Sequence, residues 1–332
     1  MSPYRGRLAP SPTGELHLGG AATFLVAWLE ARSAGGSLVL RIEDLDAART
    51  RPGSAEALID DLRWLNLDWD EGPDRGGAFG PFTQSERSAH YEAALAGLAE
   101  QGLVYYCDCS RAEIARASSA PHGPDDEGPR YPGTCRPFGL APRSFRRPPA
   151  LRFAVPEGAR ARFHELGIGD RDERVDETTG DFVLRRGDGA FAYQLAVVVD
   201  DRAMGVTRVV RGADLAGSTA RQVLLWSLLG GEREPPLYLH TPLVLGPSGE
   251  RLAKRHRGVP VRDQREAGRS PPTIWGHLAH ALGLVDDTRP RTPPELLGLY
   301  DRQRLARRPV FAPAALLEGV ERVEGVEGVR GG

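Results

Sequence analysis

The chain has 332 residues, 40 % hydrophobic and 27 % charged, enough to bury one sizeable core or two smaller ones. Its 43 basic and 45 acidic side chains leave a formal charge of -2, which excludes a polycation held on nucleic acid by bulk charge and leaves room only for a local basic face. No apolar run approaches a membrane span, and the N-terminus MSPYRGRLAPSPTG has neither a charged n-region nor an apolar h-region, so a cytoplasmic protein with no membrane partner is expected. Three cysteines, Cys107, Cys109 and Cys135, are an odd number and argue for a metal or buried thiols over a disulfide framework. The one lysine, Lys254, stands in a chain that otherwise uses arginine for every basic position, which marks its site as one that wants a compact, flexible ammonium.

Arg7 to Pro10 reads as a short strand, Ser11-Pro12-Thr13-Gly14 as a turn, and His17-Leu18-Gly19-Gly20 as the entry to an amphipathic helix with Phe24, Leu25, Trp28 and Leu29 at helical spacing. Ser37 to Glu43 follows as an aliphatic strand, which completes a βαβ unit. Ser54 is placed to cap a helix carrying Leu58, Ile59, Leu62 and Leu65, and Tyr91, Ala94, Leu95 and Leu98 mark another that ends near Gly102. This pattern predicts an α/β region with a parallel sheet. From Cys107 to Pro149 the composition turns to Pro, Gly, Ser and Arg, as in an insertion, and Leu151 to Val183 mixes strand-like pieces with acidic loops. Regular pattern resumes at Phe182: an apolar stretch from Phe191 to Val199, a buried strand from Val206 to Arg211 and an all-round apolar helix from Gln222 to Leu229. Beyond Gly258 a proline-broken tail predicts helices over Thr273–Leu284 and Pro294–Ala306, and the Glu-Gly-Val repeat of Glu318 to Gly332 predicts disorder.

A glycine-rich turn at a helix start lets backbone approach a phosphate chain, and the helix N-terminus adds unpaired N–H groups and partial positive charge. His17 adds a donor there, although a histidine in such a turn is commonly just a surface residue. Gly246-Pro247-Ser248-Gly249-Glu250 forms a turn before Arg251-Leu252-Ala253-Lys254-Arg255-His256, a loop able to set an ammonium against charge building at phosphorus, or else a solvated basic loop or RNA-backbone contact. Three thiolates want a fourth donor to complete a tetrahedral zinc site, for which Tyr131 and His122 are candidates; three free buried thiols are the plainer alternative.

The string from Arg7 to Gly20, RLAPSPTGELHLGG, resembles the signature of class I glutamyl-tRNA synthetases. Arg41-Ile42-Glu43-Asp44-Leu45-Asp46 resembles their RIEDxD strand end, and Arg251-Leu252-Ala253-Lys254-Arg255 their KLSKR loop. The three motifs occur in the family's order. Gly20 replaces its second histidine, Arg251 its first lysine and Ala253 its serine. The resemblance covers residues 5 to 258 and is closer to the truncated branch of the family, the glutamyl-Q enzymes, since the stretch after Gly258 leaves no room for a large anticodon-binding domain; the segments Phe191–Asp201 and Val210–Leu215 are similar to that branch as well.

The resemblance implies a Rossmann-type parallel sheet split by a zinc-containing insertion, with a short helical C-terminal region. Residues 1–104 and 182–258 would form the two halves of the catalytic domain, 105–181 the insertion, 259–317 a stem-contact-like region and 318–332 a disordered tail. It implies glutamate bound by Arg7, Leu8, Ala9, Pro10, Ser11, Glu43, Tyr193 and Arg211, with the arginines on carboxylates and Glu43 on the ammonium, unless Glu43 is merely paired with Arg41 or Arg49. His17, Gly19, Gly20 and Lys254 would hold ATP with its magnesium, His17 and Lys254 also stabilising the transition state. The family's CxC and YxxxC pattern selects Cys107, Cys109, Tyr131 and Cys135 as ligands of one structural zinc. The implied reaction is ATP-dependent formation of glutamyl-adenylate without tRNA, then transfer to the queuosine base in the anticodon loop of tRNA-Asp by a monomer. The alternatives are a minimal enzyme charging tRNA-Glu and a non-catalytic zinc-containing tRNA-binding protein. Arginines at 143, 146 and 147 and at 302, 304, 307 and 308 are open to RNA phosphates or simply to solvent.

Overall fold

The computed structural model describes residues 3–117, 130–231, 233–250, 252 and 259–318. His122, Lys254 with its loop neighbours Arg251 and Ala253, and the Glu-Gly-Val tail beyond Glu318 lie outside the described residues.

Strand β1 (Arg5–Leu8) runs into helix α1 (Leu18–Ser33), and β2 (Ser37–Leu40) returns parallel to β1 with Leu8 opposite Leu40. The strand starts two residues before the expected Arg7 and ends before Pro10, which has no N–H to give a ladder. Pairing nevertheless continues past both strands, with the Arg41 N–H on the Leu8 carbonyl (2.9 Å) and the Glu43 N–H on the Pro10 carbonyl (3.0 Å). Helices α2 (Ser54–Trp64) and α3 (Ser88–Glu100) follow; α2 starts from a left-handed Gly53, so Ser54 is its first helical residue and not its cap.

The chain then forms β3 (Val104–Cys107), α4 (Arg111–Ala117), β4 (Ala150–Phe153), β5 (Arg160–Glu165), β6 (Gly169–Arg174), the single turn α5 (Val175–Thr178) and β7 (Phe182–Arg185). Strands β3, β4 and β7 make a separate antiparallel sheet. The β5–β6 hairpin instead joins the second half of the main sheet, with Glu165 opposite Tyr238. Helix α6 (Tyr193–Ala203), β8 (Arg208–Gly212), α7 (Thr219–Leu228) and β9 (Leu237–Thr241) complete that half in the order β6-β5-β9-β8, with β8 and β9 parallel. Residue Thr207 joins the halves: its N–H donates to the Arg5 carbonyl (2.8 Å), and its Oγ1 accepts the Arg5 N–H (2.9 Å). Strand β1 therefore sits between β2 and β8.

The strands are buried on both faces, as a helix-covered parallel sheet requires. Leu38 and Leu40 of β2 face one core with α1, α2 and the helix Pro271–Ala281, while Val39 faces the other with α3, α6 and α7; Val210 and Val209 divide in the same way. Beyond the main sheet, the expected helix over Pro294–Ala306 is short. A capping box between Thr292 and Glu295 starts it, but it spans only Pro293–Leu297, and a single turn at Arg302–Arg304 follows. The break has a physical reason: Glu30, buried in α1, draws Tyr300 and Arg302 onto its carboxylate, with Arg302 bidentate at 2.6 and 2.7 Å.

Arg302 is thus a structural partner and not a free phosphate ligand. Arg302→Ala would leave a buried carboxylate with only the Tyr300 hydroxyl, and unfolding by urea is expected to show a loss of about 3 kcal/mol. A change within experimental error would mean that water replaces the guanidinium at no cost.

Candidate active site

In doubly wound sheets ligands sit beyond the carboxyl ends of the strands, where the strand order reverses. Here that place is between β1 and β8, and a cavity of about 2020 Å³ opens there, lined by Arg7, Ala9, Pro10, Ser11, His17, Gly19, Gly20, Glu43, Tyr193 and Arg211 among others. This is well above the usual volume of a single small-ligand site and has room for two substrates side by side. Of the described residues expected from sequence to bind glutamate or ATP, Leu8 is the exception: its side chain is fully buried in the core and does not line the cavity. Alternation along β1 is the cause, since Arg7 points to the ligand side and its neighbour must point away.

The floor of the cavity is a buried charge network. Arg41, 0 % exposed, donates to Glu43 Oε1 (2.8 Å) and Asp201 Oδ1 (2.7 Å) and lies 3.8 Å from Asp200. Asp200 in turn accepts from Arg87 Nε (2.5 Å), Gln84 Nε2 (2.8 Å) and the Tyr91 hydroxyl (2.9 Å). Arg7 lies 3.7 Å from Asp201 Oδ2, and its Nη1 donates to the Val210 carbonyl at 2.7 Å. Glu43 is therefore paired with Arg41, while Arg49 goes to Asp46. The pairing does not consume Glu43, because Arg41 takes only Oε1 and Oε2 accepts no hydrogen bond among the described residues. Burial pushes the Glu43 carboxyl above its ordinary value, with Arg41 and Arg7 opposing the rise, so a cation arriving at Oε2 would favour the ionised form.

Arg211 faces this group across the cavity. Its Nη1 donates to Gln222 Oε1 (2.6 Å) and reaches the Tyr193 hydroxyl (3.5 Å), its Nη2 donates to Thr219 Oγ1 (2.9 Å), and its Nε to His240 Nε2 (3.1 Å). It meets no carboxylate among the described residues. Burial raises the Tyr193 hydroxyl above its ordinary value, so it stands there as a neutral phenol.

At the third side, His17 caps α1, with Nδ1 accepting the Gly20 N–H at 3.0 Å. The bond requires an unprotonated Nδ1 and leaves Nε2–H as the donor. Burial lowers the His17 imidazole below its ordinary 6.5, against the attraction of Asp214. The expected Gly19–Gly20 cradle is narrower than the sequence implies: Leu18 N–H goes to the Val259 carbonyl and Gly20 N–H to His17, which leaves Gly19 N–H as the first-turn donor without a partner among the described residues.

The cysteines form a second centre. Their three Sγ atoms lie within 4.8 Å of one another, Cys109 and Cys135 at 3.6 Å, and the Tyr131 hydroxyl is 3.4 Å from Cys107 Sγ and 3.6 Å from Cys109 Sγ. A tetrahedron with zinc–sulfur bonds of about 2.3 Å has edges of about 3.8 Å, so the donor set fits zinc. Burial pushes the Cys109 thiol up to about 11 and raises the Tyr131 hydroxyl above its ordinary value, while at Cys107 burial is outweighed by the Tyr131 hydrogen bond and Arg152, which hold that thiol below its own; a divalent cation bound there would favour the ionised donors.

The surface arginines mostly have partners: Arg143 and Arg146 on Asp108, Arg147 on Glu113, and Arg304 on Asp286. Arg307 and Arg308 are exposed and form no ion pair among the described residues. Sequence reasoning missed Asp200, Asp201, Glu165 and His240 as site residues. The adjacent acids closing an apolar run in α6 were the available signal for the first two.

A split parallel sheet with a glycine-rich turn and helix start after β1 and a cation–anion pair at the strand ends matches the catalytic domain of a class I synthetase. Residues 4–278 match the family model described as tRNA synthetases class I (E and Q), catalytic domain, and the chain belongs to that family of ligases. The Glutamyl-Q tRNA(Asp) synthetase of Symbiobacterium thermophilum is 53 % identical over 313 residues, 93 % of this chain and 96 % of that protein. Its namesake from Nitratidesulfovibrio vulgaris is 50 % identical over 322 residues, 96 % of this chain and 98 % of that one. Among solved structures, the glutamate-tRNA synthetase of Elizabethkingia anophelis superposes with a TM-score of 0.76 at 26 % identity, over 94 % of this chain and 68 % of that one.

Because His17 is held neutral when folded, the unfolded chain takes up its proton first as pH falls through 6.5, and stability is lost on acidification. Asn at position 17 keeps a cap without a titrating group. The difference in unfolding free energy between the wild type and His17→Asn is expected to shrink steadily from about pH 7.5 to pH 5. A flat difference would place the imidazole in equal protonation states on both sides of unfolding.

Proposed function

We propose that this ligase activates glutamate with ATP in the absence of tRNA and transfers it to the queuosine base of the tRNA-Asp anticodon. The observation that carries the glutamate reading is the disposition of charge at the strand ends. Arg7 and Arg211 stand ready for two carboxylates, and Glu43 Oε2 stands ready for an ammonium. The queuosine acceptor rests on the names of the relatives, two of which this chain spans almost end to end.

The first step is attack of the glutamate α-carboxylate on the α-phosphorus of ATP, with the bond to the bridging oxygen breaking and pyrophosphate leaving. The nucleophile is already ionised and needs no base. The residues act by positioning and by charge: Arg7, Glu43, Tyr193 and Arg211 hold the amino acid, and His17 Nε2–H and Gly19 N–H face the phosphates. Lys254, on the loop that resembles the family's lysine motif, adds an ammonium to the charge that builds at phosphorus, with magnesium entering as part of the nucleotide. A hydroxyl of the modified base then attacks the activated carbonyl and AMP departs.

Cys107, Cys109, Tyr131 and Cys135 are proposed to hold one structural zinc. It would tie β3, the Tyr131 segment and the turn at Cys135, with the Arg152 guanidinium 4.0 Å over the Tyr131 ring. Adenylation needs no metal-activated water, so the role is stability of the insertion. Metal analysis is expected to find about one zinc per chain, and Cys135→Ser to lower both the zinc content and the melting temperature. A full complement of zinc in that variant would remove Cys135 from the ligand set.

The acceptor is tested by transfer of labelled glutamate, with ATP and magnesium, to total tRNA from cells that make queuosine and from cells that cannot. Label confined to the queuosine-containing pool is expected. Equal label on both pools would make the protein a minimal enzyme charging tRNA-Glu, and label on neither, with no pyrophosphate exchange, would favour a non-catalytic tRNA-binding protein.

A further inference from the structure

Three adjacent strands end in a chain of contacts that leads away from the cavity. Glu165 closes β5, His240 lies in β9 and Arg211 in β8, and the register sets Arg211 directly opposite His240. Glu165 accepts twice from one residue: Oε1 takes the His240 backbone N–H at 2.9 Å and Oε2 faces Nδ1 at 2.8 Å. On the other edge of the imidazole, Nε2 lies 3.1 Å from Arg211 Nε and 3.3 Å from Thr219 Oγ1. Glu165 and Arg211 are buried, and the His240 side chain is 9 % exposed.

The chemistry of the partners assigns the protons. A guanidinium has only donors, so His240 Nε2 must offer its lone pair to Arg211, and the ring hydrogen must then sit on Nδ1, where Glu165 Oε2 is placed to accept it. Both neighbours demand the same tautomer. Beneath them the Tyr238 ring stacks on His240, interplanar angle 4°, and supports the Arg211 guanidinium 5.4 Å from its centroid. Of the four other N–H donors of Arg211, one on Nη1 is held by Gln222 and one on Nη2 by Thr219, and Gln222 is itself fixed by Gln194 at 2.8 Å.

We propose that Glu165 and His240 are positioning residues that hold Arg211 for the substrate's carboxylate while keeping their own carboxylate one imidazole away from it. The proposal rests on the glutamate reading above. A carboxylate placed directly on Arg211 would neutralise it and compete with the substrate; a neutral acceptor in between orients the guanidinium and leaves its charge to be claimed. The arrangement favours a substrate side chain ending in a carboxylate over one ending in an amide. Arg7, by contrast, shares Asp201 with Arg41.

The groups facing His240 are Glu165, Arg211, Thr219 and Tyr238, with Arg7 acting through space. Burial lowers its imidazole below the ordinary value, Arg211 and Arg7 push the same way and Glu165 opposes them. Protonation would remove the acceptor and set a second cation beside Arg211.

The test is glutamate-dependent ATP–pyrophosphate exchange together with ¹⁵N imidazole shifts of the folded protein. In the wild type the shifts should report His240 as a neutral Nδ1–H tautomer; an Nε2–H tautomer or an imidazolium at pH 7.5 overturns the relay whatever the exchange assay shows. His240→Leu should raise KM for glutamate about 10- to 100-fold with KM for ATP unchanged, and His240→Gln, whose amide oxygen restores an acceptor, should recover most of the loss. Equal rises in both KM values, or no rise, overturn the proposal. Glu165→Gln keeps a side chain of the same size and should move the acid limb of the glutamate KM profile to lower pH, because it removes the charge that favours protonated His240; an unmoved limb counts against the relay even if His240→Leu fails to fold. A wild type that exchanges pyrophosphate with no dependence on glutamate would defeat the substrate reading alone, leaving the tautomer measurement to decide the relay.

Discussion

The site depends on keeping one guanidinium ionised in the protein interior. Arg41 is wholly buried, and an uncompensated charge there would be too costly for any fold of this size. Three carboxylates answer it, Glu43 from the same strand end and Asp200 and Asp201 from the last turn of α6, some 160 residues away. Arg7 and Arg87 share those aspartates, so three cations face three anions and the cluster is neutral as a unit. Because β1, the segment just after β2, the turn that leads into α3 and the last turn of α6 each contribute a charge, the first half of the split sheet cannot shift against the second without exposing one. The same constraint holds Glu43 by a single oxygen and keeps Arg7 turned to the cavity. Rigidity of the fold and readiness of the site therefore have a common cause.

That cause also explains what the sequence could and could not tell. The strand–turn–helix at Arg7 to Gly20 is legible because local chemistry decides it: Pro10 ends a ladder, Ser11 to Gly14 turn, and His17 satisfies an N–H of the first helical turn. The cysteine cluster is legible for a similar reason, since soft donors at close spacing have few other uses in a chain with three of them. Asp200 and Asp201 are not, because two acids ending an apolar run look like a solvated helix terminus until Arg41 and Arg87 arrive from distant segments. His240 carries no local signal at all. Its meaning comes from the register of β5, β9 and β8, and that register follows from a hairpin whose strands, Arg160–Glu165 and Gly169–Arg174, are too polar to announce themselves as part of a main sheet.

The hairpin and the small antiparallel sheet have different places in the fold. Strands β3, β4 and β7 carry the cysteine centre and the Tyr131 ring beneath Arg152, and Asp181 ties them together through the Tyr105 hydroxyl, the Val155 N–H and Arg136. The hairpin, inserted between β4 and β7, leaves that sheet and adds itself to the edge of β9. One insertion thus supplies both a separate module beside the cavity and a residue, Glu165, that reaches Arg211 through the main sheet.

The two arginines that line the cavity and are proposed for the substrate are supported by opposite means. Arg7 is bound into a neutral ion cluster whose aspartate it shares, so part of its charge is already answered and it suits a carboxylate that will itself react and lose charge. Arg211 touches only neutral acceptors among the described residues, His240, Gln222, Thr219 and Tyr193, so its full charge stays available for a carboxylate that keeps its own throughout. An amino acid with one carboxylate to be activated and another to be recognised meets both conditions only if its reacting end lies toward Arg7 and His17 and its side chain toward Arg211. The separation of these supports onto different strands, β1 for the one and β8 for the other, makes the distance between the two carboxylates something the sheet itself measures.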